Sequence, residues 1–372
     1  KIATLIVPAN HAWEPARPLK ATPVFGKPAC VASGHVGQSA AFISNGKRKG
    51  LVLGGRGLRE AALDAAGRIS EATGADLICE TFPPRLQRGA GCVPVKRIPY
   101  FAEKGAAFFE AYEQLILVGL KTPVAVFAYP GKPSLITPEN CDIRTLASVD
   151  EDTTAALEDL AGAIGAGKGP LRRQSRLTPP APSGALTPAA VGQSLCRLLP
   201  EGAVIADEAI TCSQPIYAEM QGAAAHDWLA ITGGSIGIGL PLALGASVAC
   251  PDRKVVALQA DGSALYTQQA LWSMARERAD VTVVLLNNRS YAILNIELSR
   301  VGAGKPNEKT LSMFDLGNPA IDWVSLSRSL GVPALRVETA EAFDRELGEA
   351  LETKGPRLIE AVVPVALDRI FG

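Results

Sequence analysis

Residues 255–291 read VVALQADGSALYTQQALWSMARERADVTVVLLNNRSY, and their pattern decides the fold. The spacing predicts a strand over 255–259, a turn at Asp261-Gly262, a helix over about 267–278 and a second strand over 281–286 that ends in Asn287-Asn288. Both apolar runs are short, β-branched and continuous, as in parallel strands covered on two faces. A right-handed crossover sets such strands side by side, with both carboxyl ends opening on one crevice. Asp261 and Asn288, 27 positions apart in sequence, then become neighbours in space. A carboxylate, an amide oxygen and nearby backbone carbonyls make a hard, all-oxygen half-shell. Such a shell suits Mg²⁺, which takes its remaining ligands from a phosphate and from water.

Two blocks surround this unit. Residues 20–164 alternate strands and helices: Leu51-Val52-Leu53 leads into Gly54-Gly55-Arg56-Gly57 and an amphipathic helix to about Thr73. Strands follow at Leu77-Ile78-Cys79, Leu115-Ile116-Leu117-Val118 and Val124-Ala125-Val126-Phe127, with a closing helix over 153–164. Residues 165–186 are rich in Pro, Gly and Arg and read as an exposed connector. Thr187 as N-cap and Pro188 at the first helical position open the second block, 187–372. The expected fold class is α/β, with two doubly wound parallel-sheet domains.

The chain has 372 residues, ample for two large cores, and is 47% hydrophobic with 36 Gly and 27 Pro. Lys plus Arg equals Asp plus Glu at 37 each, so no global field draws nucleic acid or an anionic membrane. No apolar run is long enough for a transmembrane helix, which needs about 18 residues or more, and the opening KIATLIVPANHAW does not read as a signal peptide. Seven scattered cysteines with no CxxC pair suggest reduced thiols in a cytoplasm. The three histidines fall in no metal-ligand spacing.

Asp261-Gly262, 24 residues, then Asn287-Asn288 resembles the Gly-Asp-Gly…Asn-Asn signature of thiamine-diphosphate enzymes, with Ala260 in place of the first glycine. The resemblance implies that Asp261, Asn288 and the backbone carbonyl of Ser290 ligate Mg²⁺, with Gly262 and Ser263 beside the cofactor. A second match is Thr232-Gly233-Gly234-Ser235-Ile236-Gly237-Ile238-Gly239. In related decarboxylases a glycine carbonyl here accepts from the cofactor's exocyclic amine, and a bulky apolar residue supports the bend between its rings. Those positions fall on Gly234 and Ile236, with Ser235 between them. Glycines let a backbone approach a ligand closely, and a helix starting near Ile236 would offer free N–H groups to phosphate. A third match, Val204-Ile205-Ala206-Asp207-Glu208-Ala209-Ile210-Thr211, implies a hydroxyl near the diphosphate at Thr211. An equal alternative reads Asp207 and Glu208 there as exposed turn carboxylates.

The resemblance is to the 2-oxo-acid decarboxylase and acetolactate synthase group, and it extends over nearly the whole chain. That group has three domains, and this chain resembles the central Rossmann-like domain and the C-terminal diphosphate-binding domain. Residues 1–19 resemble the last strand and exit of the N-terminal pyrimidine-binding domain. The glutamate that activates the cofactor lies in that domain, so the catalytic residue is unassigned here. The implied assembly is a homodimer or homotetramer acting on a small 2-oxo acid. Leu294 falls where pyruvate decarboxylases carry glutamate and benzoylformate decarboxylases carry leucine. The segment Pro123-Val124-Ala125-Val126-Phe127-Ala128-Tyr129-Pro130 lacks the histidine of the benzoylformate type, which leaves carboligation open. Ile293, also expected against the cofactor, joins Leu294 and Glu297 as the expected substrate pocket. Two other classes stay in view: a non-catalytic thiamine-diphosphate-binding scaffold, and a dinucleotide-binding oxidoreductase built on Gly54–Gly57. The glycine turn is not GxGxxG, and only Glu80 is placed to take a ribose, so FAD is not expected.

Overall fold

The structure, a computed structural model, describes residues 4–16, 26–169, 172–302 and 304–365. Among these described residues the strands run β1 Lys49–Leu53, β2 Asp76–Cys79, β3 Leu86–Arg88, β4 Lys96–Arg97, β5 Gln114–Val118, β6 Asp142–Ala147, β7 Val204–Glu208, β8 His226–Ala230, β9 Val255–Ala260, β10 Val281–Asn287, β11 Ala334–Val337 and β12 Arg357–Val362. They form two sheets. The first, in order β4-β2-β1-β5-β6, is wholly parallel. The second, in order β11-β12-β10-β9-β7-β8-β3, is parallel except where β3 pairs antiparallel with β8. The α/β, doubly wound class is therefore observed in both sheets.

Burial explains the continuous apolar runs. On one face of the second sheet Ile205, Val256, Leu258, Val284 and Leu286 pack with Val191, Leu195, Phe343 and Leu347. These four come from the helices Pro188–Leu198 and Ala340–Glu352. On the other face Val204, Ala206, Val255, Ala257, Val283 and Leu285 meet Leu240, Leu271, Met274 and Trp323. With helices on both sides, alternate residues of one strand enter different cores and the strand middles keep no solvent-facing position. Local signals set the helix ends. The Thr187 hydroxyl accepts from the Ala190 N–H, and Gly74 closes the helix Glu60–Thr73 with φ 71°.

Several expectations are corrected. Residues 124–127 form no strand: Val124 makes a single bridge to Leu135, and Val124 and Phe127 are exposed. They lie between Pro123 and Pro130, and the sheet position beside β5 is taken by β6. The helix expected over about 267–278 is observed, shorter, as Ala270–Glu277, and the turn expected at Asp261-Gly262 is a short helix, Asp261–Ala264. The two blocks are not cleanly separate, because β3 leaves the first and becomes the edge of the second sheet. Residues 4–8 form no strand, and Leu5 and Ile6 are exposed. Residues 1–3 and 17–19 of that segment, and the end of the second block from 366 onward, lie outside the described residues.

Candidate active site

In the second sheet the chain passes from β7 to β8 on one side and then from β8 to β9 on the other side of β7. The strand order therefore reverses between β7 and β9, and a crevice opens at their carboxyl ends. Each of the expected site segments follows one of these strands: Thr211 after β7, Gly234 after β8, Asp261 after β9 and Asn288 after β10.

β9 and β10 pair in parallel with Ala260 opposite Leu286, so Asp261 and Asn288 emerge together. Ala260 has φ −75° and accommodates its methyl group in the turn. Asp261 is buried, with one carboxylate oxygen accepting from the Gly262 N–H (2.9 Å) and the other from the Arg289 N–H (2.7 Å). The latter is aimed by a left-handed Arg289, φ 56°. Asn288 Oδ1 accepts from the Ser290 N–H at 3.0 Å. Asn287 points the other way, donating to Glu360 at 2.7 Å. Gly262 is required, since a Cβ there would lie 2.4 Å from the Tyr291 ring. Burial pushes the Asp261 carboxyl up to about 6, with the backbone N–H groups pulling it back down. Asp261 has no ion-pair partner among the described residues, and no three His, Cys, Asp or Glu side chains there gather as a metal cluster.

The glycine turn is built around Glu208, for which, as for Asp207, an exposed turn is one of two readings of the sequence. Both are buried. Glu208 accepts from the N–H groups of Gly237 and Gly239 (2.7 Å for the second) and from Gln259 Nε2 at 3.1 Å. The helix begins at Gly239, not near Ile236, and two of the N–H groups expected to be free are thus engaged by the protein itself. A Cβ on Gly239 would lie 2.3 Å from Gln259 Oε1. Gly233 and Gly234 are left-handed at φ 62° and 67°, and Ile236 stands partly exposed beyond them. Thr211 is buried in the turn Ile210–Cys212. Ser263 accepts from Gln259 at 2.7 Å and donates to the Ala260 carbonyl at 3.1 Å.

A cavity of about 820 Å³ between the two sheets is lined by Gly234, Ile236, Ile293, Leu294 and Glu297 from one side and Phe82, Arg97, Tyr100 and Phe127 from the other. The three expected pocket residues, Ile293, Leu294 and Glu297, therefore share one wall. Glu297 accepts from Tyr129 Oη at 2.8 Å and from Tyr100 Oη at 3.4 Å. Tyr129 belongs to the histidine-free segment 123–130, and neither tyrosine was singled out from the sequence. At the first sheet's glycine turn, burial raises the Glu80 carboxyl, with the Gly55 backbone pulling it back down.

The chain is 44% identical over 368 residues to a candidate acetolactate synthase large subunit of Mycobacterium tuberculosis, IlvX, covering 98% of this chain and 70% of that one. It belongs to the thiamine-diphosphate enzyme family. The sequence family described as thiamine pyrophosphate enzyme, C-terminal TPP binding domain, matches residues 209–361, which hold Thr211, Gly234, Asp261, Asn288 and Glu297. Benzoylformate decarboxylase of Pseudomonas aeruginosa is 31% identical over 177 residues, 48% of this chain and 32% of that protein. In fold, the chain resembles a thiamine-diphosphate-dependent 4-hydroxybenzoylformate decarboxylase of Rhodococcus jostii. The TM-score is 0.74 at 24% identity, over 94% of this chain and 67% of that one. Among the described residues no helix is long and apolar enough to cross a membrane.

Proposed function

We propose that this chain carries the diphosphate- and metal-binding site, and the substrate pocket, of an enzyme that uses thiamine diphosphate and Mg²⁺ to decarboxylate 2-oxo acids, to join them, or both. The observation that carries the reading is Asp261: a buried carboxylate with no cationic partner, beside Asn288 at the carboxyl ends of adjacent strands. An ionised carboxylate out of water is costly unless a cation meets it. A hard divalent ion ligated by Asp261, Asn288 and the Ser290 carbonyl, and completed by phosphate oxygens, fits this donor set. The bound cofactor would supply the electron sink for loss of carbon dioxide.

The chain's own residues would bind and orient. Thr211, Gly262 and Ser263 border the diphosphate in this reading, and Gly234, Ser235, Ile236 and Ile293 border the rings. Ile293 and Leu294 exclude water from the reacting end of the pocket. Glu297, with Tyr129 and Tyr100 donating to its carboxylate, holds or passes a proton there. The reading includes a homodimer or homotetramer, supported by exposed Val248, Tyr266 and Trp272 on the second sheet's domain. It also includes a cytoplasmic setting, supported by free cysteines throughout.

Titration calorimetry with thiamine diphosphate and Mg²⁺ tests this. The wild-type protein should bind in a metal-dependent manner, and Asp261→Ala and Asn288→Ala should bind at least about 100-fold more weakly. Undiminished affinity in both folded variants would overturn the assignment. Binding with no turnover of any 2-oxo acid would instead favour a cofactor-holding scaffold.

A further inference from the structure

Behind Tyr217 the interdomain cavity holds two closely spaced arginines, and the buried Asp207 carboxyl offsets part of the charge of Arg97. Arg88, at the end of β3, is only 8% exposed. Its guanidinium carbon sits 3.5 Å from the centre of the Tyr217 ring and 5.2 Å from that of Trp228. One terminal nitrogen donates to the Tyr217 carbonyl at 2.9 Å, while the other is buried with no acceptor. Arg97, half-buried on β4, places its guanidinium 4.1 Å from the centre of the same ring. Neither arginine forms an ion pair among the described residues. Both line the cavity together with Ile293, Leu294 and Glu297.

The acids along this cavity are otherwise engaged. Asp207 accepts from the Ala209 N–H and the Ser213 hydroxyl, Glu297 from two tyrosines, and Asp76 pairs with Lys96 at 2.8 Å. Glu71, the remaining one, is exposed. Stacking on a ring stabilises a desolvated arginine by less than burying an uncompensated ion costs. Burial and the neighbouring Arg97 accordingly push the Arg88 guanidinium down from its ordinary value.

We propose that this cavity binds a substrate with a second carboxylate, held at Arg97 with the buried charge of Arg88 behind it, so that the preferred 2-oxo acid is a diacid. This rests on the function proposed above. Ser213 and Tyr217 both line the cavity and lie on the helix Ser213–Glu219. At about 1.5 Å per residue they are roughly 6 Å apart along the helix. The arginine end is thus set back from the Thr211 turn by the length of a short carbon chain. The volume of about 820 Å³ lies within the range of pockets that enclose ligands well beyond the smallest 2-oxo acids.

The test uses unreactive probes and the whole chain without cofactor, in a buffer free of carboxylates. By titration calorimetry glutarate should bind at least about tenfold more tightly than butyrate, a difference worth about 1.4 kcal/mol. Arg97→Gln should erase that preference, and Arg97→Lys should keep part of it. Arg97 stands at a half-exposed edge strand, so these variants should fold, which an unchanged Tm would confirm. Equal binding of glutarate and butyrate, or a preference that survives Arg97→Gln, overturns the proposal. Asp261→Ala should leave the glutarate preference intact. A loss of thiamine-diphosphate binding in the wild type would defeat the proposed function, while this assay would still report on the anion site.

Discussion

The two sheets present the same device and treat it oppositely. In each, the strand order reverses beside a central strand, β1 in the first and β7 in the second, and a glycine turn meets a carboxylate there. In the first sheet Gly54 and Gly119 close on each other: a Cβ on Gly54 would lie 2.8 Å from Leu120, and one on Gly119 would lie 2.7 Å from the Gly54 carbonyl. Glu80 lies half-buried at that turn, where burial raises its carboxyl, and the two glycines leave no space between them for a further side-chain atom. In the second sheet Glu208 holds the turn through two backbone N–H groups, and a second buried acid, Asp261, stands beside Asn288 at the ends of adjacent strands with no cation among the described residues. A glycine turn at a switch point therefore does not by itself mark a site. A buried charge that the fold leaves uncompensated does.

The strongest way to break this comparison is to weaken both carboxylates alike. Glu208→Gln keeps the shape but turns an amide N–H₂ toward a backbone N–H, with an expected loss of about 1.5–3 kcal/mol for a hydrogen bond to a charged group. Because the turn from Gly234 to Gly239 hangs on it, metal-dependent affinity for thiamine diphosphate should fall about tenfold along with Tm. Glu80→Gln should lower Tm by less and leave that affinity unchanged. Equal effects of the two variants on cofactor binding would mean that both turns serve the same ligand.

A smaller effect sharpens the point from the first sheet alone. Gly54→Ala forces a methyl into Leu120 and the Gly119 carbonyl, and overpacking of this kind costs about 1–3 kcal/mol. Thermal unfolding should register that loss while calorimetry shows wild-type cofactor affinity. A stable Gly54→Ala that binds cofactor poorly would instead place the first crevice in the site.

What could be read in advance follows the same physics. β9 and β10 announce themselves because both faces are buried, and the acid and amide at their ends are brought together by a single local crossover. β8 hides because its buried Asp227 is offset by Arg85 and Arg253, so its sequence His226-Asp227-Trp228 looks like a loop. Residues 124–127 mislead in the reverse sense, being apolar enough for a strand but flanked by prolines and left exposed. Glu208 was legible only as an acid after an apolar run; its burial depends on Gly237 and Gly239 returning from across the sheet. The contacts of Glu297 with Tyr129 and of Arg88 with Tyr217 span 168 and 129 positions. The first exists only because the two sheets pack together and the second only because β3 joins the edge of the second sheet, and no periodicity in either segment encodes that.

The smallest expected effect tests whether Asp261 is in fact the uncompensated charge. Its carboxyl rises from 3.8 to about 6 on folding, chiefly through burial. An acid raised in this way favours the folded state only while protonated. The penalty for ionising it is absent below its unfolded value, grows as pH rises, and is complete above about 6. Between pH 5 and 7.5 the metal-free wild-type protein should thus lose on the order of 1 kcal/mol relative to Asp261→Ala. At about 2–4 °C per kcal/mol, the Tm gap between the two should move by roughly 3 °C against the wild type. Saturating Mg²⁺ and thiamine diphosphate should reverse that movement, since the ion supplies the missing positive charge. A Tm gap that stays constant with pH in the metal-free proteins would show that Asp261 is already neutralised within the chain, and the contrast between the two sheets would lose its basis.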